Sequence, residues 1–399
     1  MILRRGVALR SALLASAAVL AAEICLASGA FAAEPAKVAL EWKKTEIDPK
    51  FRSEGVAVGD FNKDGKMDIC AGSVWYAAPD WKMHVIRDKA AEYDPNGYSD
   101  TFCNFALDVN KDGWTDQIVV DFPGKETWWF ENPQNAEGPW KRHVITNETN
   151  NESIDLLDVD GDGTRDLIMG VEGGKMAYLT QEADPLAPWK KHIVSGEGQP
   201  HIQRYYHGIG AADVNGDGKK DMLIPEGWWE APAEASDKPW AWHPSKLGGP
   251  CANMYTYDYD GDGDLDVVSS SAHNIGIWWH EQTPDGFKQH EIDSSFSQTH
   301  ALIQTDMNGD GLPDLVTGKR WWAHGPKGDA QPDAPAVLNW FEFSRVDGKP
   351  TWTKHQIDHN SGVGTQFEVA DINGDNLLDI AVSNKKGVFV FHQSRKAAE

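Results

Sequence analysis

The 399-residue chain sets 37 Lys and Arg against 61 Asp and Glu, a formal net charge of −24 at pH 7. So acidic a surface excludes nucleic acid and anionic membrane as partners, because both select basic faces. Four cysteines, Cys25, Cys70, Cys103 and Cys251, are too few to frame a fold of this length with disulfides.

The N-terminus places Arg4, Arg5 and Arg10 ahead of an apolar run from Ala12 to Ala22 and a small-residue stretch ending Ala30-Phe31-Ala32. That order predicts a secretory signal over residues 1–32 and a mature chain, 33–399, that is secreted or periplasmic. No later segment approaches the ~20 apolar residues of a spanning helix, so no membrane insertion is expected. Next comes Trp42-Lys43-Lys44-Thr45-Glu46-Ile47, whose partners appear only at the far end of the chain.

From residue 60 one pattern, D-x-[DN]-x-D-G-x-x-D, recurs seven times. The first three copies are Asp60/Asn62/Asp64/Asp68, Asp108/Asn110/Asp112/Asp116 and Asp158/Asp160/Asp162/Asp166. Asp213/Asn215/Asp217/Asp221, Asp258/Asp260/Asp262/Asp266 and Asp306/Asn308/Asp310/Asp314 follow, and then Asp371/Asn373/Asp375/Asp379, where Asn376 replaces the glycine. Strand-forming runs flank each copy, such as Gly55-Val56-Ala57-Val58 before the first and Asp166-Leu167-Ile168-Met169 closing the third. An aromatic strand comes next, as in Trp128-Trp129-Phe130 or Trp340-Phe341. A fourth reads aromatic-Lys-x-His-x-Ile, as in Trp81-Lys82-Met83-His84-Val85-Ile86. Four strands per unit, with units 45 to 65 residues apart (213 to 258, 306 to 371), is the arithmetic of propeller blades. The last unit stops after its third strand, near Phe391, and Trp42 to Ile47 carries the fourth-strand pattern. The expected fold is therefore all-β: a seven-bladed β-propeller of four-stranded blades, closed by the N-terminal strand completing the last blade, with no open edge.

The repeated loop offers side-chain oxygens at positions 1, 3, 5 and 9 and a backbone carbonyl at 7, the donor set of a hard cation such as Ca²⁺ or Mg²⁺. Glycine at position 6 permits the positive φ that makes the ligands converge, and Asn376 is the next most tolerant residue there. A metal-free turn needs no acid at position 9. His84, His143, His192, His290 and His355 recur in fourth strands and are expected to serve the blades.

These repeats resemble the FG-GAP/VCBS family, whose loops bind Ca²⁺ in integrin α-subunit propellers and in secreted bacterial proteins. The W-K-x-H-x-I strands and Gly318-Lys319-Arg320-Trp321-Trp322-Ala323-His324-Gly325 resemble the propeller domain of aldos-2-ulose dehydratase-type proteins. That resemblance implies elimination of water from keto-sugars with help from zinc. The cupin-like domains of such enzymes have no counterpart in this sequence.

On the face opposite the loops, the residues six positions ahead of each repeat are Glu54, Phe102, Glu152, His207, Ala252, His300 and Thr365. Two histidines and two acids at equivalent places around one channel mouth suit zinc ligation and acid–base work alike. His207 or His300 would act as base, with Glu54 and Glu152 as ligands or as partners orienting the imidazoles. The same face receives Tyr206, His273, His324, Lys319 and Arg320, the last two suited to a carboxylate or an enolate. The expected function is an exported, calcium-binding propeller with a carbohydrate-directed site, leaning to a dehydratase-like carbon–oxygen lyase. The alternative is a non-catalytic module binding a glycan or a protein partner, as adhesion propellers do.

Overall fold

Runs such as Asp116-Gln117-Ile118-Val119-Val120 are short, β-branched and bounded by turn residues, so they pair as strands rather than wind as helices. The computed structural model describes residues 38–397 apart from 235 and 237, and the expected signal peptide lies outside the described residues. The described residues belong to one unit, Lys37–Glu399. They form seven four-stranded antiparallel sheets, six of them with their strands in sequential order across the sheet. Blades 1 to 6 cover 57–85, 103–149, 155–193, 210–244, 255–297 and 302–358, and blade 7 covers 368–397. Val38–Asp48 supplies the outer strand of blade 7, antiparallel to Gly387–Ala397 with Lys44 opposite Phe391. The seven-bladed propeller and its closure are as the sequence predicts.

Hydrophobic side chains pack between blades rather than within one central core. Ile118 and Trp129 of blade 2 meet Leu167 and Met169 of blade 3 in one such layer. Another joins Val316 of blade 6, Phe389 of blade 7 and Ile69 of blade 1, which closes the ring. In the outer strands the repeated histidines stack face to face on the third-strand aromatics. His84 lies 4.3 Å from Trp75, His143 4.4 Å from Trp129 and His192 4.5 Å from Tyr178, centroid to centroid. His290 and His355 do the same on Trp279 and Trp340. His243 makes the same stack on Trp228, although its strand departs from the motif. In blade 7 both partners are missing together, since Thr45 faces Val390.

The ninth-position aspartates do more than the loop motif suggests. All seven are buried, and in all seven Oδ2 accepts the amide of the residue after the first aspartate, as from Phe61 to Asp68 at 3.0 Å or from Val109 to Asp116 at 2.9 Å. In six, Oδ1 also accepts an amide at the end of the third strand, such as Asn132 onto Asp116 at 2.8 Å. The acid therefore staples three strands of its own blade. At position 6 the glycines take φ between 84° and 101°, and Asn376 takes 65°. Cys70, Cys103 and Cys251 are buried and unpaired. Among the described residues no helix is long and apolar enough to cross a membrane.

Candidate metal centre at the channel mouth

Because strands alternate in direction, the acidic loops leave one face, and the turns after second strands leave the other together with the connections between blades. Those connections are stitched to the next blade by amides, Glu54 N to Thr101 O at 3.0 Å and Glu152 N to Tyr206 O at 2.9 Å. Where blade 7 meets blade 1 the backbones come so close that a Cβ on Gly364 would lie 1.7 Å from the Glu54 carbonyl. The seven residues six positions ahead of each repeat are all buried in this ring.

Three imidazoles converge there. His207 and His300 precede the first strands of blades 4 and 6, and His273 sits in the turn after Asp266–Ser270. Ring centroids are 4.5 Å apart for His207 and His273, 5.3 Å for His207 and His300, and 5.1 Å for His273 and His300. One ligand nitrogen from each lies within 4.8 Å of the other two. The Tyr205 carbonyl accepts from His207 Nδ1 at 2.8 Å, and the Gln298 carbonyl from His300 Nδ1 at 3.4 Å. A carbonyl can only accept, so Nδ1 carries a proton in both residues; in His300, which is neutral, Nε2 then presents a lone pair, whereas His207 Nε2 faces the Glu152 carboxylate at 3.5 Å. In both residues Nε2 is buried and has no hydrogen-bond partner. Burial above all, and then Arg320, pushes the His300 pKa well below its ordinary value, which keeps the ring neutral. The third ring is set by a carboxylate: His273 Nδ1 bonds Asp329 Oδ1 at 3.1 Å. His324 Nδ1 bonds the other oxygen of Asp329 at 2.8 Å. Burial pushes the Asp329 carboxyl up, but the two imidazoles outweigh it and hold the group well below the usual carboxylate range.

Arg320 is placed differently from expectation. It is 1% exposed, with Nε and Nη2 on Glu54 Oε2 at 3.1 and 2.6 Å and Nη1 on Glu152 Oε2 at 3.0 Å. Its guanidinium also lies over Phe102, 5.6 Å from the ring centre. With these donors committed it braces blades 1, 3 and 6 across the mouth, and it is not free to hold an enolate. Glu54 pairs with Arg320 rather than with a histidine. Glu152 does both, since its Oε2 also stands 3.5 Å from His207 Nε2. Burial would raise the Glu152 carboxyl, but His207 and Arg320 beside it keep it at about 2. Lys319 is likewise buried, and its ammonium donates to the carbonyls of Gln331 and Pro332, so it ties down the long connection that carries His324 and Asp329. Tyr206 turns its hydroxyl to Glu226.

Asp329, Phe122 and Lys385 also stand at this mouth. Phe122 lies 5.5 Å from Tyr98 and 5.7 Å from Tyr205, ring to ring, in an aromatic rim that reaches His324 through Tyr98 at 6.4 Å. Phe122 and Lys385 follow the second strands of their blades as His273 does, and that place was the available signal. Asp329 lies in the middle of a connection with no repeat pattern.

Three stretches of the chain, 108–169, 158–224 and 258–317, match the FG-GAP-like repeat. These are FG-GAP repeats in a seven-bladed β-propeller. No curated protein matches the chain. Similar solved structures include an Agrocybe aegerita lectin described as recognising non-reducing terminal N-acetylglucosamine, at 15% identity over 90% of this chain and 87% of that one, with a TM-score of 0.43. BBS1N in complex with ARL6DN is similar at 10% identity over 90% and 96%, TM-score 0.49. The rhamnogalacturonan lyase YesW is similar at 11% over 88% and 72%, TM-score 0.44. At such identities the likeness does not extend to function.

FG-GAP loops in other proteins are cation sites, and the donors present here fit one unevenly. Among the described residues only blades 3 and 5, whose third position is aspartate, gather three carboxylates within 4.8 Å of one another, Asp158/Asp160/Asp166 and Asp258/Asp260/Asp262. In blade 3 the ninth acid itself belongs to the cluster, and its Oδ1 is buried and lacks the amide that its counterparts accept. Blade 3 is the best fit to a hard cation.

The other five loops carry one carboxylate fewer. Their third residues, Asn62, Asn110, Asn215, Asn308 and Asn373, bring a neutral amide in place of a carboxylate. Each of those side-chain oxygens accepts the amide of its own fifth residue, at 2.9 Å from Asp64, 3.1 Å from Asp112 and Asp217, and 2.9 Å from Asp310 and Asp375. The fifth residues are all exposed. One oxygen of each accepts the amide two residues on: Lys66 onto Asp64 at 3.0 Å, Trp114 onto Asp112 and Lys219 onto Asp217 at 2.9 Å. Leu312 bonds Asp310 at 2.8 Å and Leu377 bonds Asp375 at 2.9 Å in the same way. The first aspartates, Asp60, Asp108, Asp213, Asp306 and Asp371, take the sixth-position amide on Oδ2. Blade 3 makes the same turn bonds, Asp162 N to Asp160, Gly163 N to Asp158 and Thr164 N to Asp162, so this network is common to the loops and the carboxylate at the third position is what sets blades 3 and 5 apart.

Proposed function

We propose that this exported FG-GAP propeller carries a divalent metal, best matched by zinc, on His207, His273 and His300, and that the metal serves a carbohydrate-directed site at the channel mouth. The observation that carries this reading is the pair of buried, unpartnered Nε2 atoms on His207 and His300, each held by a carbonyl at Nδ1. Buried polar atoms are costly unless something occupies them, and three imidazole ligands would leave open positions around zinc for a further ligand. Asp329 acts from behind His273 as the carboxylate that fixes its tautomer. Glu54 and Glu152 offset the Arg320 charge, so the mouth does not repel a cation.

A metal bound there would supply a Lewis acid for the oxygen of a carbonyl or carboxylate. The chain's own groups do the rest. The rim of Tyr98, Phe122 and Tyr205 offers ring faces suited to a sugar. His324, over a third exposed and anchored by Asp329, holds or releases a proton at Nε2 as a dehydratase-like lyase requires. The second reading, a non-catalytic glycan-binding module, is favoured by the commitment of Arg320 to Glu54 and Glu152, which removes the cation expected to stabilise an enolate. Calcium in the opposite loops, blade 3 first, would act as a staple in either case. Elemental analysis of purified protein tests the proposal: about one zinc per chain, lost in His300→Ala, supports the metal centre, and calcium alone refutes it.

A further inference from the structure

Lys385 stands in the turn after Asp379–Asn384, the place that His273 and Lys319 take in blades 5 and 6. It is 5% exposed, and its ammonium makes a single long hydrogen bond, 3.5 Å to the Ala323 carbonyl next to His324. An ammonium has three donors, and a buried one normally spends them on acceptors. The neighbouring acids act on it only at a distance: Glu54 and Glu152 bond Arg320 through Oε2, and neither the unpartnered Glu54 Oε1 nor Asp94 makes a hydrogen bond to it. Lys319, equally buried, is by contrast satisfied by two carbonyls. Burial, the largest influence, draws the Lys385 pKa down to about 8, so it still carries its charge at neutral pH.

What covers the ammonium is Tyr98, whose ring centre lies 4.5 Å away. Tyr98 is 36% exposed, and among the described residues its hydroxyl makes no hydrogen bond, so only ring contacts hold it over the lysine. The same ring touches His324, which is 4.9 Å from His273. Lys385 and the three-histidine cluster thus lie on either side of Tyr98 and His324. With Glu54 and Glu152 spent on Arg320, Asp329 on His273 and His324, and Asp94 exposed to solvent, a divalent ion on the histidines leaves an excess of positive charge beside the buried Lys385 ammonium. A single carboxylate neutralises it, whereas a phosphate dianion would face Glu54 and Glu152 with only one ammonium to hold it.

We infer that the mouth recognises an acidic sugar: a monoanionic uronate whose carboxylate takes the open donors of Lys385 beneath Tyr98 while its hydroxyls or ring oxygen reach the metal. This rests on the metal-centre reading above and narrows its substrate class. The zinc-loaded full chain is titrated calorimetrically with D-glucuronate, D-galacturonate and D-mannuronate, with their neutral aldoses, and with inorganic phosphate. The inference expects at least one uronate to bind about tenfold or more tighter than its neutral partner and than phosphate, the size of a hydrogen bond to a charged group. Lys385→Met, checked for an unchanged melting temperature and zinc content, brings that ratio close to one. Zinc bound at one per chain with no uronate preference, or a preference that survives in Lys385→Met, overturns this inference and leaves the metal centre standing. Absence of zinc overturns the metal centre itself. Tighter phosphate binding identifies a phosphorylated ligand instead and equally overturns the uronate.

Discussion

Arg320 shows at single-residue scale how far function can be read from residue type. A basic dipeptide beside a glycine on the ligand face invited a catalytic role, but Glu54 is 266 positions away in sequence and no local pattern announces the pairing. The positions six ahead of each repeat were legible because the repeat itself places them in one ring. Arg320→Met would leave Glu54 and Glu152 as buried, mutually repelling carboxylates, at a cost of about 3–5 kcal/mol. Urea denaturation measures this, and a loss below ~1 kcal/mol would show the brace to be dispensable. Glu368, on the channel wall of blade 7, makes a second case. Burial chiefly, then Asp155, lifts its carboxyl to about 8 in the folded chain, with Arg165 opposing. A folded-state pKa above the unfolded value means the group's stabilising contribution is complete below about pH 4.5 and is lost as pH rises through about 8. Glu368→Gln is therefore expected to melt a few degrees higher than wild type at pH 8.5 and to narrow that gap toward pH 5, as followed by circular dichroism across pH.

Among the elements, the acidic hairpin carries two functions in nine residues, and the sequence displayed only one. The tip acids look like cation ligands, and so does the ninth, yet the ninth is a buried acceptor for two backbone amides before any ion arrives. The motif could not reveal this because the amide at the end of the third strand belongs to no fixed spacing. Nor did it rank the seven loops, although the Asp or Asn choice at the third position was in plain view and separates blades 3 and 5 from the rest. Asp116→Ala should orphan the Val109 and Asn132 amides and cost roughly 3 kcal/mol even in chelator, whereas Asp112→Ala at the tip should cost under ~1 kcal/mol there. Equal costs in denaturant titrations would mean the ninth acid is a ligand and little else. The closing strand was legible, since an orphan fourth-strand pattern at one end matched a missing one at the other. Removing residues up to Ile47, while keeping Asp48 for its bonds to Arg52 and Tyr76, bares the edge of Gly387–Ala397. The truncated chain is expected to self-associate on size exclusion, and a stable monomer would contradict the closure.

For the molecule as a whole, seven layers of inter-blade packing make a ring whose two faces are chemically opposed: hard oxygen donors on one, imidazoles and aromatics on the other. On the loop face, any ion bound would act on stability. Calcium at a hundred times the dissociation constant of one loop would add about 2.7 kcal/mol, so the melting temperature should rise with calcium and fall in chelator. The opposite face holds the proposed metal site, and its composition was half visible: the histidines stood outside the outer-strand pattern, while Asp329 and Lys385 gained meaning only when distant turns met. The most direct measurement is an anomalous difference map from crystals of zinc-loaded protein, recorded on both sides of the zinc edge. A single strong peak bonded to His207, His273 and His300, with Asp329 behind His273, is the predicted result. A mouth without such a peak, or one with His207 and His300 turned so that their Nε2 atoms bond protein groups, would contradict the account.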